Sequence, residues 1–224
     1  MGGSRAVVRV RPGRRAAPPY DRVDKHATEK GGATMSAPDS TAAIDSAALS
    51  GDYTFDVAHS TFGFVARHVM VTKVRGTFRE FEGSAHLDFV DLSKSSVLVT
   101  IKVASIDTRN ADRDAHLRSN DFFAMEDYPE ITFTSTQLEV AGEDIYRVVG
   151  DLTIRGITKS VQFDAERSGP VIDPWGNTRI GFSGTLKVNR KDWGVNWNMA
   201  LEAGGIAVSE DVTLEFDISA TKNT

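Results

Sequence analysis

The chain has 224 residues, with 26 Lys/Arg against 31 Asp/Glu and no cysteine, which excludes disulfides, haem attachment and cysteine-ligated metals. Residues 1–34 hold eight of the basic residues and only three acids, leaving 18 basic against 28 acidic residues for the rest. That acidic remainder argues against nucleic acid as a partner, because neutralising phosphates takes clustered Lys/Arg.

Arg, Gly, Pro and Ala dominate residues 1–34, and no apolar period runs through them, so they are expected to be disordered. Met35 opens a second plausible start, MSAPDSTAAIDS, and an Ala/Ser-rich linker follows to Ser50. We therefore expect a disordered extension and linker over 1–50 and one folded domain over 51–224. The basic beginning lacks the apolar core of a secretory signal, about 7–15 residues, and no run approaches the roughly 18 apolar residues of a membrane span. A cytoplasmic protein without a transmembrane segment is the expectation.

From residue 51 onward, runs of period two recur between turn residues. Phe62, Phe64, Ala66 and His68 share one face of a first strand. Gly76 and Gly83 bracket a second, TFREFE, continued by Ala85, Leu87 and Phe89. Val97, Val99, Ile101 and Val103 form the third, and Ile131–Leu138 the fourth. Tyr146–Arg155 and Ser160–Glu166 follow, joined at Gly156; then Ile180 to Val188 and Val212 to Ile218 alternate against polar neighbours. Alternation over eight sequential strands predicts an all-β fold, an up-and-down antiparallel sheet closed into a barrel. Phe64, Val99, Ile101, Val103, Phe133, Ile154 and Phe182 are expected to line its interior, with Ala66 and Gly184 leaving room inside. The exception to the pattern is Arg109–Asn120, a short helical insertion capped by Asp107 or Thr108 and followed by the apolar pair Phe122-Phe123. It is expected to cover one barrel mouth.

Candidate chemistry is sparse. His59, His68, His86 and His116 show no HxH or HExxH spacing and no accompanying carboxylate pair, so no metal site is expected. His68 shares the parity of Phe62 and Phe64 and should point inward as a buried, hydrogen-bonded residue. No GxSxG elbow supplies a hydrolytic nucleophile, and glycine-rich phosphate loops are absent. Asp107, Asn110, Arg113, Asp114 and His116 make a polar set beside the apolar interior. They either meet a ligand head group or tie the helix to the rim. Trp175, in DPWGN, reads as a turn anchor.

The segment SIDTRNADRDAHLRSNDFFAMEDYPEITFTST (Ser105–Thr136) resembles the signature of the YceI family, the lipocalin-like polyisoprenoid-binding proteins. DVAHSTFGFVARHVMVTKVRGTF, GDLTIRGITKSVQFDAE, WGNTRIGFSGTLKVNRKDWGVNW and DVTLEFDIS extend the resemblance in order over roughly residues 51 to 221. It implies an eight-stranded lipocalin-like barrel that binds, sequesters or carries a long apolar lipid without catalysis and without a required cofactor. The implied ligand is an isoprenoid quinone, a polyprenyl phosphate or a long-chain acyl lipid. On that reading the ligand-binding residues are the seven interior positions above with His68, Asn110, Arg113, His116, Phe122 and Phe123. An enzyme acting on such a lipid and an interaction module with a filled core are the rival readings. The oligomeric state, a homodimer included, is left open.

Overall fold

The structure is a computed structural model that describes residues 46–202 and 205–223. The expected disorder of residues 1–34 therefore lies outside the described residues. Among the described residues no helix is long and apolar enough to cross a membrane. The described chain begins at Ser46, within the expected linker. Ser46–Leu49 forms a helical turn, α1, with Leu49 buried and its carbonyl accepting the Tyr53 hydroxyl at 2.6 Å. Lys222 also donates to the Ala48 carbonyl at 2.7 Å, tying the turn to the end of the chain's last strand.

Eleven strand segments follow. β1 (Gly51–Phe55), β2 (Thr61–His68), β3 (Thr72–Phe78), β4 (Phe81–Leu87), β5 (Ser96–Lys102) and β6 (Ile106–Asp107) precede a helix, α2 (Ala111–Arg118). β7 (Glu130–Gly142), β8 (Ile145–Ile154), β9 (Ile157–Ile172), β10 (Thr178–Asn189) and β11 (Asp211–Lys222) complete the chain. All pairings are antiparallel, and they reduce the eleven segments to eight barrel strands. β1 and β2 are two halves of one bent strand, because both pair with β11, at Phe55↔Ala220 and Phe64↔Leu214. β3 pairs with β2 while β4 pairs with β1, and β6 pairs with β3 while β5 pairs with β4. From there the order β5-β7-β8-β9-β10-β11 is that of the sequence, and β11 returns to β1 and closes the barrel.

The breaks have local causes. A short 3-10 turn, Val57–His59, separates β1 from β2 and is capped by Asp56, whose carboxylate accepts Ala58 N–H. Asp56 also accepts Arg179 at 2.6 Å, and Arg179 donates to Asp173 at 2.8 Å, so one guanidinium pins the bend to the β9–β10 loop. The expected single strand through TFREFE is corrected: the chain bends at Arg79-Glu80, and the two halves belong to β3 and β4. The third strand likewise ends early, at Lys102, and Val103–Ser105 is a 3-10 turn. Between β8 and β9 the two-residue turn Arg155-Gly156 has φ of 52° and 71°, the left-handed pair whose twist matches a tight hairpin.

Inward parity holds along the uninterrupted strands, and four inward aromatic rings occupy the space over glycines of neighbouring strands: Phe55 at Gly83, Phe64 at Gly76, Phe133 at Gly150 and Phe216 at Gly184. Gly184 therefore does not open space by itself; the Phe216 ring takes that space and is held against the wall instead of across the lumen. A Cβ added at Gly150 would stand 2.5 Å from the Phe133 ring and 2.6 Å from the Thr134 carbonyl oxygen. Because one of those atoms is backbone, Gly150→Ala is expected to cost roughly 1–3 kcal/mol, the usual penalty of overpacking. Urea unfolding measures this; an unchanged midpoint would show that the ring and strand yield freely.

An apolar lumen and its helical plug

Eight strands enclose an interior that side chains either fill or leave open for one ligand. Here it is open. A cavity of about 180 Å³ runs through the barrel, lined almost wholly by carbon, with Val99, Ile101, Phe133 and Phe182 among its walls. A second cavity of about 110 Å³ lies towards α2, walled by Phe64, Phe122, Phe123 and Trp193. Phe78, Ile131, Ile154 and Leu214 line both, so the two cavities share walls where they meet. Along β10 the inward series runs from Phe182 through Leu186 in the first cavity to Val188 in the second, about 20 Å of strand. The filled-core reading of the sequence is thereby corrected.

Eight of the thirteen expected site residues line these cavities: Phe64, Val99, Ile101, Phe122, Phe123, Phe133, Ile154 and Phe182. Val103 does not. The 3-10 turn takes it out of strand parity, and it is buried in the core beside Ile106 instead. His68 is corrected too: it sits exposed at the end of β2, where the strand pulls away to bridge Val208.

The polar set at the mouth is brought together, but around the helix and not around the lumen. Asn110, not Asp107 or Thr108, caps α2, accepting Arg113 N–H at 2.9 Å. Asp114 is buried and accepts both the N–H (2.9 Å) and the hydroxyl of Thr108. Arg113 donates to the Thr108 hydroxyl at 2.7 Å and the Thr108 carbonyl at 2.8 Å, which commits its planar fork to the rim. Arg118 binds the Ala104 and Ile106 carbonyls, and Arg155 binds those of Asn120 and Gly194. His116 pairs with Asp121 at 2.9 Å, and its ring stands edge-on to Phe122 and Trp197, 5.1 and 4.7 Å away. These bonds hold the helix as a plug whose apolar underside, Leu117, Phe122 and Phe123, faces the second cavity. Trp175 is 79% exposed and anchors nothing; the Asp173 carboxylate holds that turn by accepting from Trp175 N–H, Asn177 and Arg179. Burial opposes the charge of Asp173, yet these donors hold its carboxyl well below the usual carboxylate range.

Sequence reasoning passed over Arg190. It follows Val188 in the same inward parity and lines the second cavity, in a 3-10 turn capped by Asn189. It is only 7% exposed. Its Nε donates to the Ser209 carbonyl at 3.0 Å and its Nη1 to the Val195 carbonyl, while the buried Nη2 has no hydrogen-bond partner. Burial pushes this guanidinium below the ordinary arginine range.

Among the described residues, no cluster of three or more His, Asp or Glu is placed to hold a metal ion. Removing the Asp114 carboxylate strands a buried Thr108 N–H and leaves the Thr108 hydroxyl without its acceptor. Asp114→Ala is therefore expected to cost about 1–3 kcal/mol and to raise amide exchange across residues 109–125 first. Exchange rising uniformly through the barrel instead would contradict a locally tied plug.

Comparison with known proteins agrees with this architecture. Residues 53–220 match the YceI-like domain. The UPF0312 protein plu2095 of Photorhabdus laumondii is 45% identical over 150 residues, covering 66% of this chain and 78% of its own. The UPF0312 protein SERP2314 of Staphylococcus epidermidis is 40% identical over 164 residues, 73% of this chain and 93% of its own. Among solved structures, BcnA of Burkholderia cenocepacia superposes with a TM-score of 0.66 at 26% identity, covering 75% of this chain and 99% of that one. The YceI protein of Campylobacter jejuni gives 0.62 at 30% identity, covering 70% and 90%. A polyisoprenoid binding domain from Saccharophagus degradans gives 0.56 at 17% identity, covering 76% and 98%, a likeness of fold.

Proposed function

Because this chain belongs to the YceI-like family, we propose that its barrel is a non-catalytic carrier or sequestering protein for a long-chain isoprenoid or related lipid. The observation that carries the reading is the unfilled lumen, whose walls are almost wholly carbon over the length of the barrel. Each methylene moved there from water is stabilised by about 0.8 kcal/mol, so a long chain accumulates affinity that a short one cannot. The Saccharophagus degradans neighbour, which shares the fold, is a polyisoprenoid binding domain, and that is in keeping with the ligand class proposed here. Isoprenoid quinones, polyprenyl phosphates and long-chain acyl lipids all offer the required chain. An enzyme would need reactive groups at the lumen, and the polar groups near α2 are engaged in holding the helix.

Filling the lumen tests this directly. Ala85 and Ala165 line the main cavity from different strands. Ala85→Phe and Ala165→Phe each place a ring where the chain would run. Both are expected to lose at least tenfold in affinity for a fluorescent long-chain probe while still unfolding cooperatively. If both folded variants bind the probe as well as the parent, the lumen is not the binding site.

A further inference from the structure

The cover over the second cavity has two parts. One is the α2 plug. The other is a flap made of the end of β2, the turn at 69–71 and residues 195–209, which give Ala66, Val195 and Val208 to the cavity wall. Backbone bonds join the flap into one surface: Val69 N–H donates to the Ala207 carbonyl at 2.8 Å, and Ala207 N–H to the Met199 carbonyl at 2.9 Å. Flap and plug meet through rings, with Trp197 standing 4.7 Å from His116 and 5.2 Å from Phe122.

The outer edge of the flap goes against the usual rules for a hairpin. Val71 N–H bonds the His68 carbonyl at 3.0 Å across Val69 and Met70, whose φ of 43° and 59° lie in the left-handed region that Asn-Gly suits. A β-branched Val is strained there. The turn nevertheless sets apolar side chains in the open: Met70 is 55% exposed and Val71 74%, with Met199 of the flap at 57%. At the stem, Arg67 and Lys73 are both exposed and stand directly opposite each other in the register. Like charges so placed repel. The carboxylates nearby at the start of β11 are engaged, Glu210 with Lys191, Asp211 with Lys187 and Glu215 with Arg75, so neither cation has an ion-pair partner among the described residues. The flap's own acid, Glu202, lies at its far turn, beyond the Ala200–Ile206 bridge.

We propose that this flap docks on the surface of an anionic lipid bilayer, with Met70, Val71 and Met199 entering the head-group layer and Arg67 and Lys73 meeting lipid phosphates. The inference deepens the lipid-carrier reading and rests on it, since docking sets the seam between flap and plug against the source of the chain. Apolar tips backed by cations suit an interface: the tips gain by leaving water while the charges stay at the level of the phosphates. A second copy of the chain docked symmetrically would bring another Arg67–Lys73 pair to the contact and add to the repulsion instead of relieving it.

The chain has no cysteine, so Val71→Cys carries an environment-sensitive dye at the turn alone, and Trp175→Cys carries it at the other end of β10. With vesicles of phosphatidylcholine and phosphatidylglycerol, the dye at 71 is expected to shift to the blue and to be quenched by brominated acyl chains. The dye at 175 is expected to keep its aqueous spectrum. No shift at 71, or a shift at 175 alone, overturns the proposal. A shift at 71 that needs no vesicles and grows with protein concentration assigns the face to a second copy and overturns it too. Unlabelled Arg67→Gln with Lys73→Gln is expected to bind these vesicles about tenfold more weakly, and Lys94→Gln with Arg147→Gln under about twofold. Equal losses would trace binding to net charge and overturn the flap's role. Met70→Asp with Val71→Asp is expected to keep the parent's affinity for the fluorescent long-chain probe in solution while slowing its uptake from vesicles at least tenfold. Unchanged uptake overturns docking and leaves the lumen reading intact; a parent that binds no probe defeats the lumen reading, and the dye then decides docking by itself.

Discussion

β11 finds partners along most of its length on the far edge of the sheet, and the interior depends on that closure. Thr213 to Asp217 pair with β2, and Ala220 to Lys222 pair with β1, so the last strand of the chain meets both halves of the first. Closure removes the free edges that a meander would otherwise expose. It also sets the bore. Once eight strands are joined in a ring, the lumen can be narrowed only by the side chains that point into it. In this barrel four of the largest of them lie back over glycines, and space remains along the axis.

The price of closing three bent strands is a set of local turns, and these mark where sequence pattern and structure part. Period-two parity located Phe64, Val99, Ile101, Phe133, Ile154 and Phe182 on the lumen because the strands carrying them run unbroken through those positions. It misplaced Val103 and His68, each at the end of its run, where the backbone leaves the pleat for a 3-10 turn or an isolated bridge. The bend at Arg79-Glu80 carried no proline or glycine signal of its own, so TFREFE read as continuous. A turn imposed by barrel closure depends on strands distant in sequence, which a local window does not contain.

The two arginines show the same division. Arg113 drew notice because it sits in a polar cluster with Asp114 and His116, yet short-range hydrogen bonds to Thr108 consume its donors. Arg190 stood in an unremarked polar run after β10, although counting by twos from Ile180 and Phe182 would have pointed it inward. A charged residue in an inward register is costly unless its donors are met, and the Ser209 and Val195 carbonyls take two of those of Arg190. The family match over residues 53–220 is consistent with the barrel, while the particular ligand has to come from the lumen's own chemistry.

The central claim is that the lumen exists to hold a chain. Its most direct measurement is organic extraction and mass spectrometry of the full-length protein purified from its native cells without detergent, with native mass spectrometry to count what is bound. The account predicts close to one long-chain lipid per protein, lost when Ala165→Phe fills the bore. A protein recovered free of lipid, and unable to take one up from vesicles, would contradict it.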